Sequence, residues 1–205
     1  MLKNCLALAG KNAKVVKSLS ETRWSARADA VSAMTEQLHT IQIAFITIAT
    51  NCNLDMDVQN EAKSLLKQTI TKDFCLICTV WNRILKRFDA VSTSLQESDL
   101  SLDQAVVLLT SLSAFINSVS NDFDQFQTEA NLLMEKSQST LKEKNFTFSE
   151  REMRNTTKSC FSQQNFVELL EKLSTELQKR LHAYDEMRAT FGVLVRFLHL
   201  NDDEI

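Results

Sequence analysis

The sequence predicts an all-α fold, an antiparallel bundle of about five helices, four of them long. Three observations predict it. The 205 residues include no proline and only two glycines, Gly10 and Gly192, where average usage would supply about 10 and about 14. Sheets and hairpins draw their turns from those residues, so a β or α/β fold would lack its punctuation. Apolar residues recur at threes and fours along most of the chain, which is the period of an amphipathic helix. The chain is also long enough to bury roughly 70% of its unfolded surface, so a real core is available to such helices.

Residues 1–20 are weakly patterned and basic, and are read as a separate N-terminal segment; residues 21–200 are read as one helical domain and 201–205 as an acidic tail. From Ser25, placed as N-cap, a first helix carries Ala28, Val31, Met34, Leu38, Ile41, Phe45 and Ile48 and ends near Thr50–Asp55. A second, about Asp57–Ile70, puts Val58, Ala62, Leu65, Leu66 and Thr69 on one face. The third, about Lys72–Leu95, has the bulkiest stripe: Phe74, Ile77, Cys78, Trp81, Ile84, Leu85, Phe88, Val91 and Leu95. Ser101 and Gln104 form an S-x-x-Q capping box, opening a fourth helix to about Ser137 with Ala105, Val106, Leu109, Leu112, Ile116, Val119, Phe123, Phe126, Ala130 and Leu133 inward. Residues 137–160 read as a loop, with Phe146 and Phe148 folding part of it back. The last helix, about Ser162–Leu198, runs through Phe166, Leu170, Leu173, Leu177, Leu181, Tyr184, Met187, Phe191, Leu194 and Leu198, close to a heptad. Helices of this length need partners along their sides, and an antiparallel bundle supplies them.

The net charge of −3 hides an uneven distribution. Residues 1–27 carry six Lys/Arg against one acid, 28–135 are net −8, 136–158 are net +3, and the remainder is net −3. Two basic segments flank an acidic body, which points to an anion at one edge. The five cysteines are an odd number at irregular spacing, poor material for a disulfide framework and in keeping with a reducing compartment. Lys11, Lys14 and Lys17 follow the short apolar run Leu6–Ala9 at once, so no export signal develops. No continuous apolar stretch of about 18 residues is present, so a soluble chain without a membrane partner is expected. The N-x-T sequons at Asn145 and Asn155 are then incidental.

Chemistry-bearing residues are sparse. Cys75 and Cys78 make a lone C-x-x-C with no second ligand pair; on the apolar stripe they are expected to act as small hydrophobes. His39, His182 and His199 fall on separate segments without H-x-x-x-H spacing. Asp99, Asp103, Asp122 and Asp124 could enter a two-metal site, but near helix ends such acids ordinarily solvate the surface or complement a dipole. There is no Gly-rich phosphate loop and no nucleophile–base pair in local sequence, so no enzyme, cofactor, metal or small-molecule substrate is expected. The remaining candidate is Arg23, Trp24 and Arg27 at the head of the first long helix. A tryptophan between arginines can stack on an unpaired base while the guanidinium groups hold phosphates; equally, Trp24 can anchor the bundle end while the arginines reach to solvent.

The block L-S-x-T-R-W-S-A-R-A-D-A-V at Leu19–Val31 resembles the T-R-W motif of hAT-superfamily transposases, in the variant of zinc finger MYM-type protein 1-like genes. Similar likeness is carried by Phe74–Gln96, with W-N-R-I-L-K-R-F-D-A-V-S-T-S-L-Q from Trp81, by Asp99 and Leu100, by Phe123–Ala130, and by F-x-x-x-L-x-x-L-x-x-E-L-x-x-R at Phe166–Arg180. The resemblance covers about residues 15–198. It implies that the chain is mostly the helical insertion of an RNase H-like catalytic domain, without the strands that carry the first two acids of the family's triad. Glu204, near the end, lacks the motif around the third. Zinc finger, catalytic core and dimerisation region are likewise missing from the match, which implies a transposon-derived chain without transposase activity. The resemblance makes Arg23, Trp24 and Arg27 the DNA-binding residues and implies a nuclear, intracellular location. DNA at the basic N-terminal edge is thus one expected partner. The other is a protein, or a second copy, held by a helical interaction module that does not bind DNA.

Overall fold

The computed structural model describes residues 24–149 and 161–197, with side chains for 25–149 and 161–191. The described residues form seven helices and no strand, so the fold is all-α. In chain order they are α1 (Trp24–Glu36), α2 (Leu38–Ala49), α3 (Met56–Thr69), α4 (Lys72–Ser94), α5 (Leu102–Val119), α6 (Phe123–Glu143) and α7 (Gln163–Phe197). The N-terminal segment 1–20, the acidic tail 201–205, Cys5, Cys160, Asn155 and His199 lie outside the described residues. The helices gather into two compact units. One holds α1, α2, α3, α4 as far as Lys86, and α6; the other holds α4 from Arg87, α5 and α7.

In the first unit α2 packs against α1, α3 and α6. Its interior includes Ala33, Leu66, Cys75, Leu76, Val80, Ile84, Phe126 and Ala130, all fully buried. The face that α1 buries is made of small residues, Ala28, Ala30, Ser32 and Ala33, which lets a neighbouring backbone come close. Gln42 of α2 is also fully buried; its Nε2 donates to Thr69 Oγ1 of α3 at 3.3 Å, and its Oε1 has no hydrogen-bond partner. His39 Nδ1 meets Thr140 Oγ1 at 2.7 Å and ties α2 to α6.

The second unit is built on α5 and α7, which pack side by side. Gln178 donates to Ser113 at 3.0 Å, and Arg188 reaches Asp103 at 3.8 Å. Later residues of α7 thus meet earlier residues of α5, and the pair is antiparallel. Arg87 of α4 donates to Ser111 of α5. The apolar interior comprises Val91, Ala105, Val106, Leu109, Leu112, Ile116, Val119, Phe166, Leu170 and Leu177. By length and composition α5 is apolar enough to cross a membrane, which corrects the expectation that no such stretch exists. Six of its apolar residues are buried against neighbours, as in the core helix of a folded protein.

Two predicted helices are each split. The first breaks at Gln37 (φ −114°, ψ 19°), although Gln37 N–H still reaches Ala33 at 2.9 Å and Ile41 N–H reaches Gln37 at 3.0 Å. No proline or glycine stands at the break, and the apolar spacing runs across it unchanged, so nothing in the pattern marks it. Ser25 lies inside α1 rather than capping it. The predicted helix from Ser101 to Ser137 ends at Val119 and restarts at Phe123. Ser120 Oγ donates to Asn117 C=O at 2.7 Å, and Asp122 N–H to Val119 C=O at 3.0 Å; such local bonds compete with the helical ladder. Because Val119, Phe123 and Phe126 keep the four-three spacing, the turn is invisible to periodicity.

The predicted loop from 137 also begins later, since α6 continues to Glu143 with Ser137 and Thr140 buried. It closes in a Schellman arrangement. Asn145 takes φ 49°, Phe146 N–H bonds Leu141 C=O at 2.9 Å and Asn145 N–H bonds Lys142 C=O at 3.1 Å; asparagine is the residue that best tolerates this left-handed position after glycine. Phe146 and Phe148 then meet edge to face at 5.2 Å. Elsewhere the faces shift: Val58, Leu65 and Ile77, placed inward by the pattern, are exposed, while Leu76, Thr79 and Val80 are buried. The Ser101–Gln104 capping box is present with both reciprocal bonds.

Candidate nucleic-acid interface

The T-R-W block meets the structure at the start of α1. Trp24 is its first residue, its side chain lying outside the described residues, as does the whole of Arg23. Arg27, three residues on, is exposed, together with Ser25 and Asp29; burial begins at Ala28 and is complete by Ala33. Of the block's described residues, Ser25, Arg27 and Asp29 therefore face solvent while Ala28 and Ala30 face the interior.

A second cationic feature in the same unit was not singled out from sequence. α1, α4 and α6 frame a groove of about 440 Å³ lined by Thr35, Thr79, Asn82, Arg83, Lys86, Glu129, Leu132, Leu133 and Lys136. Arg83 lies over the Phe126 ring at 4.4 Å and pairs with Glu129 at 2.7 Å. Ring and carboxylate fix the guanidinium plane, and Glu129 is itself held by Gln125 at 3.0 Å. Lys86 spans to Glu36 at 3.2 Å, and Ser32 donates to the same carboxylate oxygen at 2.8 Å. Lys86 and Lys136 are exposed, and Asn82 Oδ1 is buried with no hydrogen-bond partner. Thr35, on the groove wall, is eight residues along α1 from Arg27, a rise of about 12 Å. The sequence signal was available in Arg83, Lys86 and Arg87 of W-N-R-I-L-K-R-F, but charge summed over the acidic middle of the chain concealed it. Lys136, in the second basic segment, joins them only through the fold.

The other chemistry-bearing residues take structural places. Cys75 and Cys78 are buried free thiols. Burial pushes Cys75 up to about 11, and burial together with the neighbouring Cys75 pushes Cys78 up to about 12. Both stay protonated at neutral pH and present no thiolate to metal or oxidant. His182 lies 3.4 Å from Glu186 on the surface of α7. Asp99 accepts from Ser98, Asp103 meets Arg188, and Asp124 lies in the first turn of α6. Among the described residues no three His, Cys, Asp or Glu side chains come together as a metal site.

No family model matches the chain, and no curated protein or solved structure matches it either.

Proposed function

We propose that this chain is a transposon-derived, hAT transposase-like helical scaffold, without a catalytic centre of its own, that contacts DNA in the nucleus. Contact is made at the head of α1 by Arg23, Trp24 and Arg27. The observation that supports this most is the exposure of Arg27 on the first turn of α1, three residues after Trp24. The neighbouring groove adds Lys136, together with Arg83 and Lys86, which are paired with Glu129 and Glu36 and would have to exchange those carboxylates for phosphate. An unpaired base stacking on Trp24 contributes about 1 to 3 kcal/mol, and phosphates would be held by guanidinium groups.

The test is fluorescence anisotropy with hairpin and single-stranded DNA over a salt series. Affinity should fall steeply with salt, and Trp24→Ala should weaken it about 5- to 150-fold, the equivalent of the stacking energy. Lys86→Ala and Lys136→Ala should each reduce the salt slope by about 0.7, the value for one lost phosphate contact on a single strand. No binding, or binding unaffected by Trp24→Ala, overturns the proposal and favours the helical protein-interaction module. DNA cleavage or joining by the purified chain with magnesium or manganese would overturn the non-catalytic part.

A further inference from the structure

Two carboxylates stand on the cations of the groove between α1, α4 and α6, and both are held in the same way. Glu36, the last residue of α1, meets Lys86 Nζ at 3.2 Å and accepts from Ser32 Oγ at 2.8 Å, both on Oε1. Glu129 of α6 meets Arg83 at 2.7 Å and accepts from Gln125 Nε2 at 3.0 Å, again both on Oε1. In each case one oxygen is shared between a cation of α4 and a neutral donor one turn earlier on the carboxylate's own helix. The cation can leave without stranding its carboxylate, because the neutral donor stays. Arg83 is not stranded either, since the Phe126 ring at 4.4 Å still holds its guanidinium. The four side chains are between 29% and 51% exposed, and ion pairs so open to solvent hold by only about 1.4- to 5-fold. Lys136, on the same groove, has no carboxylate against it among the described residues.

We propose that Glu36 and Glu129 guard this groove as internal stand-ins for phosphate, and that a single strand of DNA opens it by displacing them from Lys86 and Arg83. The inference rests on the DNA reading of the chain and adds a regulation to it. Lys136 offers the first contact. Arg83 and Lys86, three residues apart on α4, are neighbours on one helix face, so phosphates of one strand reach both. Each then exchanges a carboxylate for a phosphodiester. The bonds broken and formed are both charge-assisted, so the exchange is nearly even, and the released carboxylates remain beside the strand and repel it. Affinity is thereby held below what the three cations would give alone. A strand meets this opposition better than a lone phosphate, because once Lys136 holds it the next phosphates arrive at high effective concentration.

The test is fluorescence anisotropy with single-stranded DNA at fixed salt. Glu36→Gln and Glu129→Gln remove the charge and keep the oxygen that Ser32 and Gln125 donate to. Each should tighten binding by about 1.4- to 5-fold, and the two together by about 2- to 25-fold. Glu61→Gln, an equal change of net charge on α3, should have a smaller effect. The gain belongs to the ion pairs, so Glu36→Gln should give less in a Lys86→Met background than in the parent, and Glu129→Gln less in Arg83→Met. A parent that binds DNA with neither Gln variant tighter than Glu61→Gln overturns the guard and leaves the DNA reading standing, as does a gain undiminished in Lys86→Met. No binding by either the parent or the doubly substituted chain overturns both. Binding by the doubly substituted chain alone supports the guard.

Discussion

Replacing Phe126 by alanine should destabilise the first unit by roughly 3 to 5 kcal/mol, the range for emptying an aromatic core site. Phe126 is fully buried, and the substitution leaves a cavity that the facing helices can only partly close. Against a total stability of about 5 to 15 kcal/mol, that loss would leave some of the unit unfolded under mild conditions. The ring has a second role, since Arg83 lies over it at 4.4 Å while pairing with Glu129. A double-mutant cycle separates the two roles. Phe126→Leu keeps most of the volume and removes the ring, whereas Arg83→Met keeps the stem and removes the charge. A coupling of about 0.5 to 1 kcal/mol is expected for a partly exposed cation over an aromatic face. Urea titration followed by tryptophan fluorescence is the assay, because both tryptophans, Trp24 and Trp81, belong to the first unit. A loss below about 1.5 kcal/mol for Phe126→Ala would refute the assignment of Phe126 to the core, and zero coupling in the cycle would refute the stacking.

Three further outcomes follow from local chemistry. At neutral pH a maleimide should label Cys52 rapidly and leave Cys75 and Cys78 untouched until denaturant is added, because Cys52 alone of the three is exposed. For the buried pair the folded values lie above the ordinary 9.0; their contribution is intact below about 9 and is lost as pH rises through about 11 to 12, so stability in Cys52→Ser should fall over that window and the loss should shrink in the Cys75→Ala, Cys78→Ala background. At the end of α6, Asn145→Gly should be neutral or slightly stabilising and Asn145→Val should cost about 1 to 2 kcal/mol, since a β-branched residue resists the left-handed position; equal thermal midpoints for the two variants would remove the case for the Schellman closure.

Much of the architecture was written in local chemistry. The lack of proline and glycine gave the all-α class, and α4 and α7 begin and end within a residue or two of where the periodicity and polar flanks placed them. The capping box at Ser101 was legible because its two bonds are made by residues three apart. What escaped were features that preserve spacing while changing direction. The turn at Ser120–Asp122 and the break at Gln37 leave the three-four rhythm intact, so periodicity joins what hydrogen bonding separates. Arg27 could be singled out because it stands beside a tryptophan in sequence. The groove could not, because Arg83 and Lys136 lie on α4 and α6 and share a surface only after folding, and because the sum of −8 over residues 28–135 hides that α4 itself carries four bases against two acids. The exposure of Met187 and Phe191 escaped as well, because α5 begins at Leu102, level with Arg188 of α7, and no list of apolar positions records where a neighbouring helix stops.

Gln42 has a consequence beyond its own hydrogen bond. Purely apolar ridges can slip by one helical turn and bury nearly the same area, so α2 and α3 would have neighbouring alignments of similar energy. A buried amide does not have that freedom, because one turn away from Thr69 it would leave its donor as well as its carbonyl unmet, at a cost of about 1 to 3 kcal/mol for each such group. Gln42→Met should therefore give a protein no less resistant to denaturant but less singular in its packing, with broadened methyl resonances along α2 and α3. Such a residue trades cohesion for a unique answer, and it does so from the most enclosed position in the helix.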